Sequence, residues 1–92
     1  MIDEKVRFYG KHWEHAEIIK TYFREYSYKY FLADYTLDVI EFIDDTPDGG
    51  SRYFVSFYWE PESKEYVLVD DFVVFVCDDR VRWVNQTYKG EY

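Results

Sequence analysis

Apolar positions recur with a helical period over one stretch near the start of this chain, and with period two over most of the remaining residues. Ala16, Ile19, Phe23, Tyr26, Tyr30 and Ala33 stand three or four residues apart in one continuous stripe, which predicts a helix over 12–33. Glu14 and Glu17 fall in its first turns and Lys29 in its last, the order that the helix dipole favours. No strong N-cap residue marks its start. Tyr22 and Tyr28 belong at the margins of the stripe, rings packed and hydroxyls wet. Before the helix, Val6 and Phe8 alternate with Arg7 and Tyr9, so residues 1–10 allow a short strand, which Gly10 ends.

The rest reads as strands joined by tight turns. Over 35–43, Leu37 and Val39 alternate with Asp38, and then Ile40 and Phe42 point the other way, a change of face that suggests a bulge or a strand covered on both sides. Asp44-Asp45-Thr46-Pro47-Asp48-Gly49-Gly50 is a turn, with proline to fix φ and glycine to allow positive φ. Arg52–Glu60 sets Tyr53, Val55, Phe57 and Trp59 on one face and Phe54, Ser56 and Tyr58 on the other. A second turn spans residues 60–64. Residues 65–77 make one long strand, or two meeting at Asp70-Asp71; Asp78-Asp79 is a tight connection; 81–87 is the last strand and 88–92 a tail. One long N-terminal helix followed by strands at 35–87 predicts a single α+β domain of 1–92, a two-layer arrangement with the helix on an antiparallel meander of four to five strands.

Ninety-two residues leave no room for a second domain. So short a chain needs a dense core, and eight Phe, eleven Tyr and three Trp supply one, at roughly 150–250 Å² buried per ring. Cys77 is the single cysteine, which excludes an internal disulfide and fits a reducing compartment. Residues 1–10 hold four charged side chains and no apolar stretch, unlike a signal peptide. The longest apolar run, 72–77, is far short of the ~20 residues a spanning helix needs. The expected location is the cytoplasm, that of the host if the protein is phage-encoded, with no membrane partner.

Charge sharpens the picture. Between Asp34 and Asp79 lie thirteen acids against only Arg52 and Lys64, within a chain of net charge −8. Binding nucleic acid directly requires Lys and Arg to neutralise phosphates, so the expected partner is instead a basic nucleic-acid-binding protein or enzyme. Successive turns of a meander alternate between its ends, which predicts Asp44, Asp45, Asp48, Asp78 and Asp79 along one rim, with Glu60, Glu62 and Glu65 at the other end. Such a rim could imitate a phosphate backbone. The same acids also serve solubility and oppose edge-to-edge aggregation, and both readings stay open here. In composition the chain resembles the small acidic inhibitors that phages make against host nucleic-acid enzymes, of the anti-restriction and anti-CRISPR type. It is also similar in character to acidic immunity proteins that neutralise nuclease toxins. The resemblance implies a non-enzymatic inhibitor.

Tyr53, Tyr58, Trp59, Tyr66 and Trp83 exceed what one sheet face can bury under one helix. Tyr58, Trp59 and Trp83 are therefore candidate anchors for a partner, and the alternative is a structural or assembly subunit that pairs through an aromatic sheet face, as in a homodimer. His12 and His15 share a helix face, but with no third histidine neither a metal nor another cofactor is expected. Asp44–Asp48 lacks the ligand spacing of a calcium loop. No phosphate-binding glycine loop or nucleophile elbow is present, so no catalytic residue is assigned. A ligand pocket between helix and sheet, lined by Phe23, Tyr26 and Phe57, is a third reading.

Overall fold

Ile19 and Phe23 are fully buried, and through them the apolar stripe of the helix meets the sheet. The computed structural model describes residues 6–62 and 65–91. The part of the first strand segment before Val6, residues 63–64 of the second turn, and Tyr92 lie outside the described residues. In chain order the elements are β1 (Arg7–Tyr9), α1 (Trp13–Tyr26), a 3-10 turn (Ser27–Tyr30), β2 (Thr36–Asp45), β3 (Ser51–Trp59), β4 (Leu68–Cys77) and β5 (Arg80–Glu91). They form an α+β fold with one five-stranded sheet in the order β1-β2-β3-β4-β5.

The sheet is mixed, which corrects the antiparallel expectation. Strands β2 to β5 are an antiparallel meander, but β1 pairs with β2 in parallel, Phe8 opposite Ile40. Parallel neighbours require a crossover connection, and α1 supplies it. The helix is thus the link of a β-α-β unit as well as a layer packed on a meander.

Helix α1 stops earlier than the 12–33 stripe suggests. At Phe31 the backbone turns left-handed (φ 58°), and the N–H groups of Phe31 and Leu32 donate to the carbonyls of Tyr28 and Ser27. This is the reversal that commonly closes helices, here with Phe where glycine is usual. It points the Phe31 ring outward and drives Leu32 into the core. The start of α1 has no side-chain cap at His12.

Strands β2 and β5 are irregular. Register shifts leave Asp38 and Ile43 of β2 as bulges, in keeping with the change of face read from the sequence. Shifts at Arg82 and Thr87 interrupt β5. That strand continues through Glu91, where the sequence pattern ends at Thr87 and leaves a tail. Strand β4 begins at Leu68 and runs unbroken through Asp70 and Asp71.

The core lies between α1 and one sheet face. Phe23 meets Phe57 at 4.9 Å and Phe72 at 5.6 Å between ring centroids, and Phe57 meets Phe72 at 5.8 Å. Edge-on and tilted contacts of this kind suit aromatic quadrupoles. Tyr53, placed among the surface aromatics by the sequence, is fully buried here. Phe23 and Phe57 pack on each other between helix and sheet. Tyr26 instead lines a groove of about 610 Å³ between α1 and the start of β5, with Asp79, Arg80 and Val81, so the three do not line one pocket together. Among the described residues no helix is long and apolar enough to cross a membrane.

Candidate functional site

Two turns meet at one end of the molecule, the β2–β3 turn and the β4–β5 turn. Cys77 Sγ lies 3.9 Å from the carbonyl oxygen of Asp48, so Asp44, Asp45, Asp48, Asp78 and Asp79 share this end. Local hydrogen bonds shape it. The Thr46 N–H donates to the Gly50 carbonyl (2.8 Å), Gly49 N–H donates back to Thr46 (3.1 Å), and Thr46 Oγ1 donates to Asp48. Ser51 Oγ donates to Asp45 at 2.8 Å. Asp78 and Asp79 both adopt positive φ (54° and 60°), as a two-residue hairpin turn demands.

Several of these acids are already paired. Arg52 donates to Asp44 through Nε (2.8 Å), which holds the Asp44 carboxyl below its usual range. Arg82 pairs with Asp78 at 2.9 Å. Asp45, Asp48 and Asp79 make no ion pair among the described residues. His15 stands near this end, within the fields of Asp45, Asp79 and Glu14; desolvation and neighbouring His12 nevertheless push its pKa down.

Beside the two turns lies a shallow groove of about 420 Å³, whose wall is Trp83 stacked on Phe75 (5.7 Å, 27°) and whose rim includes Pro47, Asp48 and Arg52. Trp83 keeps 44% of its surface exposed. Gly50 lets the turn close over this ring: a Cβ there would overlap the edge of Phe75 and stand 2.7 Å from the carbonyl oxygen of Val76.

The other residues singled out in the sequence do not join this site. Glu60 and Glu62 follow β3 at the opposite end of a molecule 45 Å long. Tyr58 lies on the face of the sheet away from the helix. Trp59 lies on the helix side, against Tyr35 and the margin of the core, so it does not stand beside Trp83.

Asp70 and Asp71 show what the linear pattern conceals. On opposite faces of β4, they meet different fates. Asp70 is fully buried on the core side, accepting from Gln86 Nε2 (2.8 Å) and Lys89 Nζ (3.1 Å), and burial raises its pKa. Asp71, on the open face, accepts from Ser56 Oγ at 2.6 Å. Farther along that face Arg7 grips Asp38 through two 3.0 Å bonds, a contact across 31 residues that depends on the parallel β1–β2 pairing and on the bulge at Asp38. Alternation on β4 could have separated Asp70 from Asp71; nothing local could have paired Arg7 with Asp38.

The rings of His12 and His15 are 5.0 Å apart, and His15 Nδ1 is engaged with the Tyr53 hydroxyl. Among the described residues no three His, Cys, Asp or Glu side chains converge to hold a metal ion. Searches of protein-family models, of curated proteins and of solved structures returned no match for this chain.

Proposed function

We propose that this protein is a small, non-enzymatic inhibitor that binds a basic, nucleic-acid-handling protein, of the anti-restriction or anti-CRISPR type, and acts in the cytoplasm. One observation carries the reading: two acidic turns converge beside the exposed Trp83–Phe75 groove. Carboxylates steer a basic partner and set register, while a half-exposed tryptophan in a groove is the residue type that anchors interfaces. Trp83 also offers a face to a Lys or Arg of the partner.

Magnitude limits the form of mimicry. A duplex 45 Å long, the length of this molecule, carries about 26 phosphate charges, whereas the whole chain has a net charge of −8. The protein therefore imitates nucleic acid locally, at one end, rather than as a rod.

The experiment is capture of basic proteins from a host lysate on the immobilised protein, with elution by rising salt and by competing duplex DNA. A nucleic-acid-binding partner released by both, and lost when Asp44, Asp45, Asp78 and Asp79 are all changed to Asn or when Trp83→Ala is used, supports the reading. Retention unaffected by all five changes overturns it.

A further inference from the structure

We infer that the open face of the sheet holds a second anchor point, a groove that receives an arginine side chain of the basic partner. This rests on the proposed function and extends its contact beyond the acidic end. The groove has a volume of about 590 Å³, within the usual range for ligand sites. Its floor is apolar, formed by Val39, Phe54 and Val69, and Tyr58 stands in its wall. Its carboxylates are Asp38, Glu60 and Asp71. Among the described residues Arg7 is the one cation lining it, and both its bonds close on Asp38. Among the described residues Glu60 and Asp71 therefore have no cationic partner in the groove. Asp71 is held in place by Ser56 Oγ at 2.6 Å, and a carboxylate keeps further lone pairs for another donor.

The chemistry selects one occupant. A phosphate is repelled. A second copy of this chain is disfavoured, because two-fold pairing of the face would bring Glu60 and Asp71 toward their own mates. Along the β5 edge, the Arg82 and Thr87 bulges also break the ladder that another strand would extend. A cation with an alkyl stem fits both floor and rim. Guanidinium fits better than ammonium, since it is planar, weakly hydrated and stacks on rings such as Tyr58 and Phe54. From the Arg52 level beside Trp83 to the Ser56 level is four residues of β3, about 13 Å. The partner would thus present an arginine and its Trp83 contact about that far apart.

The test is an amide-NMR titration of the isotopically labelled protein with N-acetyl-arginine-N-methylamide, alongside the lysine and citrulline counterparts. Shifts centred on Ser56, Tyr58, Val69 and Asp71, weaker for lysine and lost for citrulline, are expected. Asp71→Asn, which still accepts from Ser56, should weaken the arginine effect about tenfold, and Glu25→Gln on α1, outside both the groove and the acidic end, should leave it unchanged. Shifts spread evenly over every acidic turn, insensitivity to Asp71→Asn, or no shift up to the probe's solubility limit would overturn the inference. So would a dimer in light scattering that tightens with salt and shields the same amides. The titration needs no partner protein, so an empty groove and a failed lysate capture are separate results.

Discussion

The hydroxyl of Tyr53 lies 2.6 Å from Nδ1 of His15, joining the fully buried face of β3 to the first turn of α1. Burial pushes the Tyr53 phenol up to about 12, so the hydroxyl donates. Desolvation pushes His15 below 6.5, so its neutral ring accepts. Protonation would put a hydrogen on Nδ1, which could then no longer accept from the hydroxyl.

His15 thus makes folding sensitive to acid. Its folded pKa is depressed, so its contribution is complete above 6.5 and is lost as pH falls through the folded value. The urea midpoint should drop over that window, and His15→Gln, which cannot be protonated, should flatten the drop. Tyr53→Phe should cost about 0.5–1.5 kcal/mol at neutral pH. An unchanged acid slope in His15→Gln would assign the drop to the carboxylates instead.

Alkali should act through the tyrosines. Tyr22, desolvated and 2.6 Å from the Tyr30 hydroxyl, has its pKa raised to about 12, as Tyr53 does. With folded pKa values raised, both contribute stability that is complete below 10.0 and is lost as pH climbs toward 12. Phenolate absorbance should show a late fraction that appears together with unfolding. Tyr30→Phe should bring part of that fraction earlier.

Asp70 is a different case. Burial raises its pKa above 3.8, so it favours the folded state most in acid and loses that contribution as pH rises through the folded value. Asp70→Asn removes the buried charge and keeps an acceptor for Gln86. At neutral pH it should cost less than the alanine change: the amide NH2 then faces the Lys89 ammonium, which is part-exposed and can turn to water, while the penalty of burying a charge is removed. Asp70→Ala deprives Gln86 and Lys89 of their acceptor and should cost about 1–3 kcal/mol. Equal losses from both substitutions would show that the charge itself matters.

Gly50→Ala probes the Trp83 groove. The new methyl would meet the Phe75 ring and the Val76 backbone, and relief requires the ring to leave its stack on Trp83. A loss of about 1–3 kcal/mol is expected, with a change in the near-ultraviolet circular dichroism of the stacked pair. An unperturbed spectrum would mean that the turn, rather than the ring, gives way.

What could be read in the sequence was whatever depends on neighbours along the chain. Period-two alternation placed Tyr53, Val55 and Phe57 together on one face of β3, and the three- and four-residue spacing of Ala16, Ile19 and Phe23 marked the buried stripe. Which face of β3 the helix covers, and with it the burial of Tyr53, was not legible. Meander geometry brought the 44–48 and 78–79 acids to one end, because hairpins alternate ends whatever their partners. The end of α1 at Tyr26, the parallel pairing of β1, the Arg7–Asp38 contact and the burial of Asp70 beside Lys89 were decided only by tertiary structure. Each depends on which strand lies next to which and on bulges that shift register by one residue. Those choices come from the summed packing of segments tens of residues apart, and no local pattern in the chain carries that sum.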